Sequence, residues 1–594
     1  MNRSHESQSD EKFPTRLGSF IFRFKSSLLQ LQRFFQGIFG SRARAFQKKG
    51  ILLNDTVICE SKTPLWTELE PEERSLVAGK IQNLRLAVAR IDGVQIPPGE
   101  VFSFWKHIGR ATRIRGFVAG REIREGCIIP TIGGGLCQLS NALYDAALRA
   151  NFEIVERHAH TQVVAGSLAE HGRDATVFWN YIDLRFRSTN AFQIEAKMGS
   201  DHLTVRFRGM KNEGRSLHQI SRSAINNSHI NSCATCGMED CFRAAKPNVS
   251  TIFGRSAYLL DEFSPEFDEY IQKQRNDGDL ICLPIDGRRF RKPNYAWNTS
   301  GFAKVAQSFV LTAERSLRSR RLAAQGAARQ QNLLAMNEKL AANYANKLDF
   351  DVLHVVVQQN LLPFLWRDGH LGGRTFDVLM SALPMTNLQQ QLDHAYSSHQ
   401  ESKTLADFRA DIKLVEAESE ALKKARKIIT PHTYIASIFG DQAELLDWAV
   451  PNKKAMDRKR TEKPCIVFPA STVGRKGCYE LRDTLKGLEV KLLLLGPIIE
   501  NPDFWKGFDV EAGGPDWLQY ADLVVLPAYV EHRPRRLVLA ASSGIPVIAS
   551  HACGVENVEG IETIETNSPE KLSQMIISNL DSMYDNFYRL NATN

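Results

Sequence analysis

The sequence predicts a multidomain protein of mixed α/β structure, and three observations lead to this prediction. At 594 residues, and at roughly 100–200 residues per domain, the chain is long enough for three or four domains. Its composition of 43% hydrophobic and 24% charged residues is typical of globular proteins and excludes a fibre, a disulfide miniprotein or a wholly disordered chain. Helix and strand patterns mix over 63–210, whereas after residue 251 short apolar strands alternate with helical patterns.

The N-terminal segment 1–50 carries most of the net charge. It holds ten Lys or Arg residues against three Asp or Glu, a surplus of seven out of the net +8 of the whole chain. Nucleic-acid enzymes usually spread their cations over folded domains. A basic tail on nearly neutral domains therefore argues against a nucleic-acid partner.

The same segment predicts an amphipathic helix over 17–39. One face of this helix would carry Leu17, Phe20, Ile21, Phe24, Leu28, Leu31, Phe35 and Ile38. Such a helix can lie at an anionic membrane surface, pack on the protein's own core or dock a partner. No uncharged apolar run of eighteen residues and no signal peptide is found, so we expect a cytoplasmic protein, with peripheral contact at the inner face of the cytoplasmic membrane.

The unit at 63–210 contains a cysteine after a glycine-rich turn. The run IGGGLCQLSNALYDAAL predicts a tight turn and then a helix starting near Cys137, where the helix dipole favours a thiolate. The following RHAHT places His158 and His160 on one face of a predicted strand, and Asp174 comes later. Cys137, His160 and Asp174 could act as nucleophile, base and orienting acid. Alternatively, the turn is structural and Cys137 is a small buried residue.

These motifs, from FSFWKHIGR through GGGLCQLSNALYDAAL and ERHAHT to GRDATV, strongly resemble the VanW domain family. The resemblance covers about residues 63–210 and predicts an α+β domain. It implies an association with the bacterial cell envelope, without an established reaction. The helix-start cysteine followed by a strand histidine is also similar to the layout of transglutaminases and papain-like enzymes.

The polar stretch 211–250 predicts a linker that carries a cysteine knuckle. His229, Cys233, Cys236 and Cys241 form an H-x3-C-x2-C-x4-C pattern, and Cys282 is an alternative fourth ligand. A C-x2-C pair can hold a metal from one turn, which predicts structural zinc or an iron–sulfur cluster. A thiol switch or a disulfide remains the alternative.

From residue 251 onward, the strand–helix alternation predicts parallel sheets of the Rossmann type, in an N-terminal domain at 251–446 and a C-terminal domain at 447–594. Within the first domain, the stretch 304–347 is rich in Ala, Arg and Gln and contains no Pro. It predicts one long helix.

The last domain places Gly474, Arg475 and Lys476 between a strand and a helix, where cations and backbone N–H groups bind phosphate. With the following WLQYADLVVLPAYVEHRPRRLVLAASSGIPVIAS, this region resembles the nucleotide-binding domain of retaining GT-B glycosyltransferases of family 4. The resemblance implies that Arg475 and Lys476 hold the donor diphosphate and that Glu531 is the first acid of an E-x7-E motif. Leu539 stands where the second acid is expected.

The acceptor side is defined less clearly. KARKIITPHTYIASIFG is similar to the end of the family's N-terminal domain and would place 431–434 at the cleft. Two segments are candidates for the acceptor-side loop, AYLLDEFSPEFDEYI and HLGGRTF, the latter with Gly372, Gly373 and Arg374. Enzymes of this family need no D-x-D metal motif, so the resemblance implies transfer that requires no metal or other cofactor.

The sequence is compatible with three functions. The first is a glycosyltransferase that moves a hexose from a nucleotide-diphosphate sugar to a cell-envelope glycan or glycolipid. The second is a non-catalytic envelope scaffold with a degenerate GT-B module, which the leucine at 539 favours. The third is a Cys137-dependent hydrolase or acyl transferase acting on peptidoglycan-like material.

Overall fold

The structure is a computed structural model, and its residues divide into two compact units. The N-terminal unit comprises Met1–Arg255 with Asp349–Leu353 and Asp368–Arg374, and the C-terminal unit comprises Ser256–Leu348, His354–Arg367 and Thr375–Asn594. The residues that the structure describes are 15–39, 44–48, 56–66, 71–124, 127–160, 167–211, 231–232, 241, 254–322, 326–406, 409–451, 458–459, 461–566 and 568–592.

Fourteen α-helices lie in the described part of the chain. They are α1 (Arg16–Phe39), α2 (Pro71–Ile91), α3 (Phe104–Ile108), α4 (Cys137–Arg149), α5 (Pro265–Gln274), α6 (Phe309–Arg320), α7 (Ala327–Ala345), α8 (Leu362–Arg367), α9 (Met385–Ser398), α10 (Ile412–Lys424), α11 (Thr433–Phe439), α12 (Cys478–Thr484), α13 (Arg535–Ser542) and α14 (Pro569–Ala592). None of them is long and apolar enough to cross a membrane.

The same described residues form 23 strands in five sheets. In the N-terminal unit the strands are β1 (Val57–Pro64), β2 (Gln95–Ile96), β3 (Val101–Ser103), β4 (Ala119–Arg124), β5 (Cys127–Ile132), β6 (Glu153–Glu156), β7 (Arg185–Arg187), β8 (Phe192–Met198), β9 (His202–Gly209) and β10 (Asn231–Ser232). The strands of the next sheet belong to the C-terminal unit except for Arg255, Val352 and Leu353. They are β11 (Arg255–Leu259), β12 (Leu280–Leu283), β13 (Lys304–Gln307), β14 (Val352–Gln358), β15 (Thr375–Leu379), β16 (Lys427–Thr430) and β17 (Ala443–Leu445). In the second half of that unit they are β18 (Cys465–Phe468), β19 (Lys491–Leu494), β20 (Asp509–Ala512), β21 (Leu523–Leu526), β22 (Val547–Ser550) and β23 (Ile561–Ile564).

The N-terminal unit combines three small sheets with helices α2 and α4. Their strand orders are β1-β9-β8-β2, β3-β7-β6 and β10-β5-β4, and most of the ladders are antiparallel. Side chains along β9 alternate between buried and partly exposed, as expected for a sheet with one face on the core. The centre of the core is a group of buried rings that includes Phe152, Phe186, Phe192 and Phe207.

The C-terminal unit contains two parallel sheets. The first has the order β13-β12-β11-β14-β15-β16-β17 and the second has the order β20-β19-β18-β21-β22-β23. Strands β12, β18, β21 and β22 are buried along their whole length, as expected for strands covered by helices on both faces. Each sheet follows the doubly wound order of a Rossmann fold, which confirms the fold class predicted from the sequence.

The predicted long helix over 304–347 is wrong. Strand β13 and the helices α6 and α7 occupy this stretch instead. Val305 and Ala306 pair with β12 at the sheet edge, and Gly326, with a φ of +116°, separates the two helices. Pairing with a neighbouring strand outweighs the local helix propensity here, and no local pattern carries that information.

Candidate functional site

A glycine-rich turn in the N-terminal unit leads into α4 and positions Cys137. Gly133 and Gly135 adopt φ values of +79° and +94°, which side chains on other residues disfavour. Gly134 lies against Gly120 of β4 so closely that a Cβ on either residue would overlap the carbonyl oxygen of the other. The turn therefore requires glycine for two separate reasons, and it places Cys137 at the first position of α4, where it is partly buried.

His160 lies between Cys137 and Asp174. Its Nδ1 is 2.8 Å from Oδ2 of Asp174, its backbone N–H donates to the same oxygen at 2.5 Å, and the Cys137 thiol is its second side-chain partner. Burial alone would lower the pKa of His160, but the hydrogen bonds with Asp174 and Cys137 raise it to about 10. The imidazole is therefore protonated at neutral pH and faces both a carboxylate and a thiol.

The Asp174 segment is fixed to α4 and to the chain before His160. Ser140 donates to the carbonyl of Ala175 at 2.5 Å, and the N–H of Ala175 donates to the side chain of Asn141 at 2.8 Å. The guanidinium of Arg157 donates to Oδ1 of Asp174 at 2.7 Å. These contacts hold the aspartate next to the helix that starts with the cysteine.

The sequence left open which histidine faces the thiol, and the structure places His160 there. The side chain of His158 is half exposed and lies 3.7 Å from Glu156. The predicted strand for these two histidines is wrong, because β6 ends at Glu156 and they follow it in irregular structure. Irregular backbone lets His160 turn toward both partners.

A second candidate site lies in the C-terminal unit, where the order of the last sheet reverses between β18 and β21. Chains leave the carboxyl ends of these two strands in different directions, and ligands of doubly wound sheets bind in the crevice that results. After β18 the chain forms a 3₁₀ turn over Gly474–Lys476, and after β21 it runs to Glu531. The backbone N–H groups of Tyr529 and Val530 donate to the carbonyl of Arg475 at 3.0 and 3.1 Å, which ties the two segments together.

Lys476 and Glu531 form an ion pair at this reversal point. The Lys476 ammonium donates to Oε2 of Glu531 at 2.9 Å and to the carbonyl of Val530 at 2.8 Å, and the two charged side chains are only 16% and 13% exposed. Oε1 of Glu531 accepts the backbone N–H of Arg533 at 2.8 Å. Burial would raise the pKa of Glu531, but the Lys476 charge outweighs it and lowers that pKa to about 2. Glu531 is therefore ionised across the physiological range.

The predicted contact of phosphate with the backbone at Gly474 does not fit the structure. The N–H of Gly474 already donates to the buried carboxylate of Glu500 at 2.6 Å and to Thr404 Oγ1 at 3.0 Å. The N–H of Lys476 donates to the carbonyl of Val473 within the 3₁₀ turn. Contact between this turn and an anion therefore depends on side chains, principally those of Arg475 and Lys476.

The structure places two histidines near Glu531 that the sequence motifs do not indicate as site residues. His432 follows β16, is fully buried, and donates through Nε2 to the carbonyl of Glu531 at 3.0 Å, while its Nδ1 accepts the N–H of Ile435. Nε2 of His532 is buried and has no hydrogen-bond partner among the described residues. Burial lowers the pKa of both, that of His532 to about 3, so both imidazoles are neutral. The placement of 431–434 at the cleft was the one sequence signal for His432.

The first Rossmann-like sheet has its own reversal point between β11 and β14. Asp261, directly after β11, accepts from Arg315 at 2.6 Å and from Asn360 at 2.7 Å. The segment AYLLDEFSPEFDEYI therefore lies at a carboxyl edge, where acceptor groups are expected. Beyond Asp261 it reaches the last domain, because Glu262 pairs with Arg533 and Glu266 pairs with Arg535.

The other acceptor-loop candidate, HLGGRTF, is wrong. Gly372, Gly373 and Arg374 precede β15, at the amino edge of the sheet, and they belong to the N-terminal unit. There the carbonyl of Gly372 accepts from Arg85, and the N–H of Gly373 donates to the carbonyl of Gly199. A short glycine motif does not reveal which end of a strand it adjoins.

Known protein families and curated proteins match part of the N-terminal unit. A family model described as VanW like protein matches residues 79–208. The vancomycin B-type resistance protein VanW of Enterococcus faecalis is 34% identical over 25% of this chain and 54% of its own. The uncharacterized protein YoaR of Bacillus subtilis is 39% identical over 18% of this chain and 34% of its own. The chain thus spans about a third to a half of the length of these curated relatives.

Residues 79–208 are a VanW-like domain. Cys137, His160 and Asp174 all lie within it.

Solved structures similar to this chain cover 55% of it and include glycosyltransferases. The sucrose-phosphate synthase of Thermosynechococcus elongatus is 13% identical, with a TM-score of 0.36 over 90% of that chain. WaaG, described as a glycosyltransferase involved in lipopolysaccharide biosynthesis, is 14% identical, with a TM-score of 0.33 over 90% of that chain.

Most of the proposed cysteine knuckle lies outside the described residues. Of its four residues only Cys241 is described; His229, Cys233 and Cys236 are not. Cys282, the alternative ligand, lies within the fully buried strand β12. Among the described residues no group of three His, Cys, Asp or Glu side chains is placed to hold a metal ion. The zinc or iron–sulfur site stays a prediction.

Proposed function

We propose that the C-terminal unit is a glycosyltransferase that binds a nucleotide-diphosphate sugar at the reversal point between β18 and β21. The observation that carries this proposal is the buried ion pair between Lys476 and Glu531 at the carboxyl edge of the last sheet. A buried ion pair is costly in free energy, and a leucine and a methionine would fill the same space without that cost. A ligand that needs both charges gives the pair a role.

A bound donor would redistribute the two charges. Lys476 would turn from Glu531 to the diphosphate, which Arg475 would also contact. Glu531 would then accept hydrogen bonds from hydroxyl groups of the sugar. In the reaction the bond from the anomeric carbon to the diphosphate oxygen breaks, and an acceptor hydroxyl oxygen forms the new bond to that carbon. The proton of this hydroxyl passes to the departing diphosphate oxygen, and the cations stabilise the diphosphate that leaves. No metal is required, because the cations supply the positive charge. We expect retention of the anomeric configuration and a cell-envelope glycan or glycolipid as acceptor.

One further feature supports a ligand here. His532 leaves a buried nitrogen without a partner among the described residues, and such atoms usually find one in a ligand or in water. Leu539, at the place of the second acid, packs on the core of the last domain. Donor recognition would therefore rely on Glu531 and on the cations, without a second carboxylate.

The first prediction tests donor binding with the full-length chain. We expect UDP-glucose or GDP-mannose to raise the thermal midpoint, since a ligand at about a hundred times its dissociation constant adds roughly 2.7 kcal/mol to stability. In calorimetry, Arg475→Ala should weaken binding by about tenfold or more, because a charge-assisted contact with the diphosphate is lost. Lys486→Ala, which removes an exposed cation from the same domain, should bind like the wild type.

If neither the UDP sugar nor the GDP sugar binds the wild-type chain at millimolar concentration, the transferase proposal fails, and the scaffold alternative remains. If Arg475→Ala and Lys486→Ala lose affinity equally, the cations act only through the overall charge of the domain. The assignment of Arg475 as a diphosphate contact then fails. Release of UDP or GDP in the presence of a lipid-linked glycan would then test transfer itself.

A second candidate function rests on the contact of His160 with both Cys137 and Asp174 in the VanW-like domain. We propose that Cys137 is the nucleophile of a hydrolase or acyl transferase that acts on peptidoglycan-like material. The thiolate would attack an amide or ester carbonyl, the protonated His160 would give its proton to the leaving group, and Asp174 would orient the ring. Water or an amine would then release the acyl group from sulfur.

The second prediction concerns the reactivity of Cys137, measured by iodoacetamide labelling and peptide mass spectrometry. Cys59 is the internal reference, because it is also partly buried and burial raises its pKa to about 11. We expect Cys137 to be alkylated at pH 7 at least about tenfold faster than Cys59, and His160→Gln to remove most of this difference. Equal rates for the two cysteines, or a rate at Cys137 that His160→Gln leaves unchanged, would contradict the proposal.

A further inference from the structure

Helix α1 exposes a continuous apolar face. Successive residues of an α-helix are rotated by roughly 100°, so side chains three, four and seven positions apart share one side. Each of the side chains on this face is 42–69% exposed, and none is buried by the rest of the described chain: Leu17, Phe20, Ile21, Phe24, Leu28, Leu31 and Phe35. Seven large apolar groups in one row form a surface that soluble proteins rarely leave uncovered.

The opposite face of α1 is attached to the VanW-like domain. The ring of Phe22 contacts Phe178 edge-on at 6.4 Å between centroids, and the guanidinium of Arg124 lies over Phe22 at 4.9 Å. Two turns further on, the backbone carbonyl of Gln30 accepts from Asn180, and Arg33 pairs with Glu156. The helix thus contacts the VanW-like domain through one side along its length. The exposed apolar row lies on the other side and does not pack on the core of that domain.

The charges of α1 lie beside the apolar row. Arg16 and Arg23 lie along one border of the row and Lys25 along the other, by the rotation of roughly 100° per residue. The helix Arg16–Phe39 contains no Asp or Glu. A second copy of the same face would bring cations against cations, whereas an anionic surface would complement them.

We propose that α1 is an interfacial membrane helix that docks the VanW-like domain on an anionic lipid bilayer. The apolar row would enter the boundary between head groups and acyl chains, and Arg16, Arg23 and Lys25 would contact lipid phosphates. The helix would lie in the plane of the surface, because its attached side must stay on the protein side. This inference is independent of both enzymatic proposals.

The third prediction tests this docking by sedimentation of the full-length chain with vesicles. We expect binding to phosphatidylcholine vesicles that contain 30% phosphatidylglycerol, and at least about tenfold weaker binding to pure phosphatidylcholine. The double variant Phe20→Ser/Phe24→Ser should lose at least about tenfold in affinity for both. Arg23→Gln/Lys25→Gln should lose about tenfold on the anionic vesicles only, and added salt should have the same effect.

The matched control is Ile114→Ser, which removes a 99% exposed apolar side chain from the same domain outside the helix. It should bind vesicles like the wild type. Failure of the wild-type chain to sediment with anionic vesicles overturns the proposal, as does unchanged binding of Phe20→Ser/Phe24→Ser. A concentration-dependent dimer that this variant abolishes, without vesicle binding, would assign the face to a second copy instead.

Discussion

At the scale of single residues, each candidate site places a buried ionisable side chain next to a group that stabilises its charged form. Glu531 stays ionised because of Lys476, and His160 stays protonated because of Asp174 and Cys137. The order Cys137, His160, Asp174 could be predicted from sequence because a glycine turn and a helix start have local signatures. His432 and His532 could not be predicted as site residues. His432 contacts Glu531, about a hundred positions away in the sequence, and His532 is notable only because its Nε2 is buried.

The fourth prediction concerns the pH dependence that His160 gives to stability. Its pKa in the folded protein is about 10, above the ordinary value of 6.5, so folding favours the protonated ring. This contribution is complete below about pH 6.5 and is lost as the pH rises toward 10. We expect the thermal midpoint of His160→Gln to fall less than that of the wild type between pH 7 and pH 10.

His158→Gln is the matched control for this measurement, because it removes a histidine two positions away whose side chain is half exposed. It should reproduce the slope of the wild type. Parallel curves for His160→Gln and the wild type over this interval would mean that the imidazole gains no proton affinity from the fold.

At the scale of elements, local patterns predict isolated apolar strands better than helices. The sequence predicts strands at 427–430 and 523–526 and a short apolar segment at 561–564, and β16, β21 and β23 have these bounds. The sequence also predicts a helix over 515–521, where the structure has only a short 3₁₀ turn at Trp517–Gln519, and it does not predict β20. Strand β20 is polar and mostly exposed at the sheet edge, and it pairs with β19 through its backbone, which leaves no hydrophobic pattern.

The fifth prediction concerns the junction between the 3₁₀ turn and α12. Gly477 has a φ of +72°, and a Cβ there would overlap the carbonyl oxygen of Pro527 on the neighbouring segment. Gly487 has a φ of +82° but no atom within 4 Å of its Cβ position. Gly487→Ala should therefore cost only the roughly 1–2 kcal/mol of the left-handed backbone, and Gly477→Ala clearly more.

Urea denaturation of both variants measures this difference as a change in the midpoint. Because Gly477 follows Lys476 directly, Gly477→Ala should also weaken donor binding, whereas Gly487→Ala should not. Equal midpoints for the two variants would mean that the segment after β21 can move away from residue 477 at no cost in stability. The close contact between Gly477 and Pro527 would then not fix the position of Lys476.

At the scale of the whole molecule, the sequence predicted the class of each unit but not the order of its strands. Alternating strands and helices indicate parallel sheets, and the right-handed crossover rule limits their topology. The reversal between β18 and β21 depends on which strands pair across more than fifty residues, which no local pattern records. The assignment of 349–353 and 368–374 to the N-terminal unit is long-range in the same way.

The contact between Gly120 and Gly134 has a consequence for how this domain can diverge. Each glycine occupies the volume that a methyl group on the other would need, so neither position can accept a substitution while the strand and the turn keep their spacing. Relatives that preserve the cysteine turn should retain both glycines, and relatives that lose one should tolerate change at the other. Coupled replacement at these two positions would therefore mark the lineages in which the turn has been remodelled.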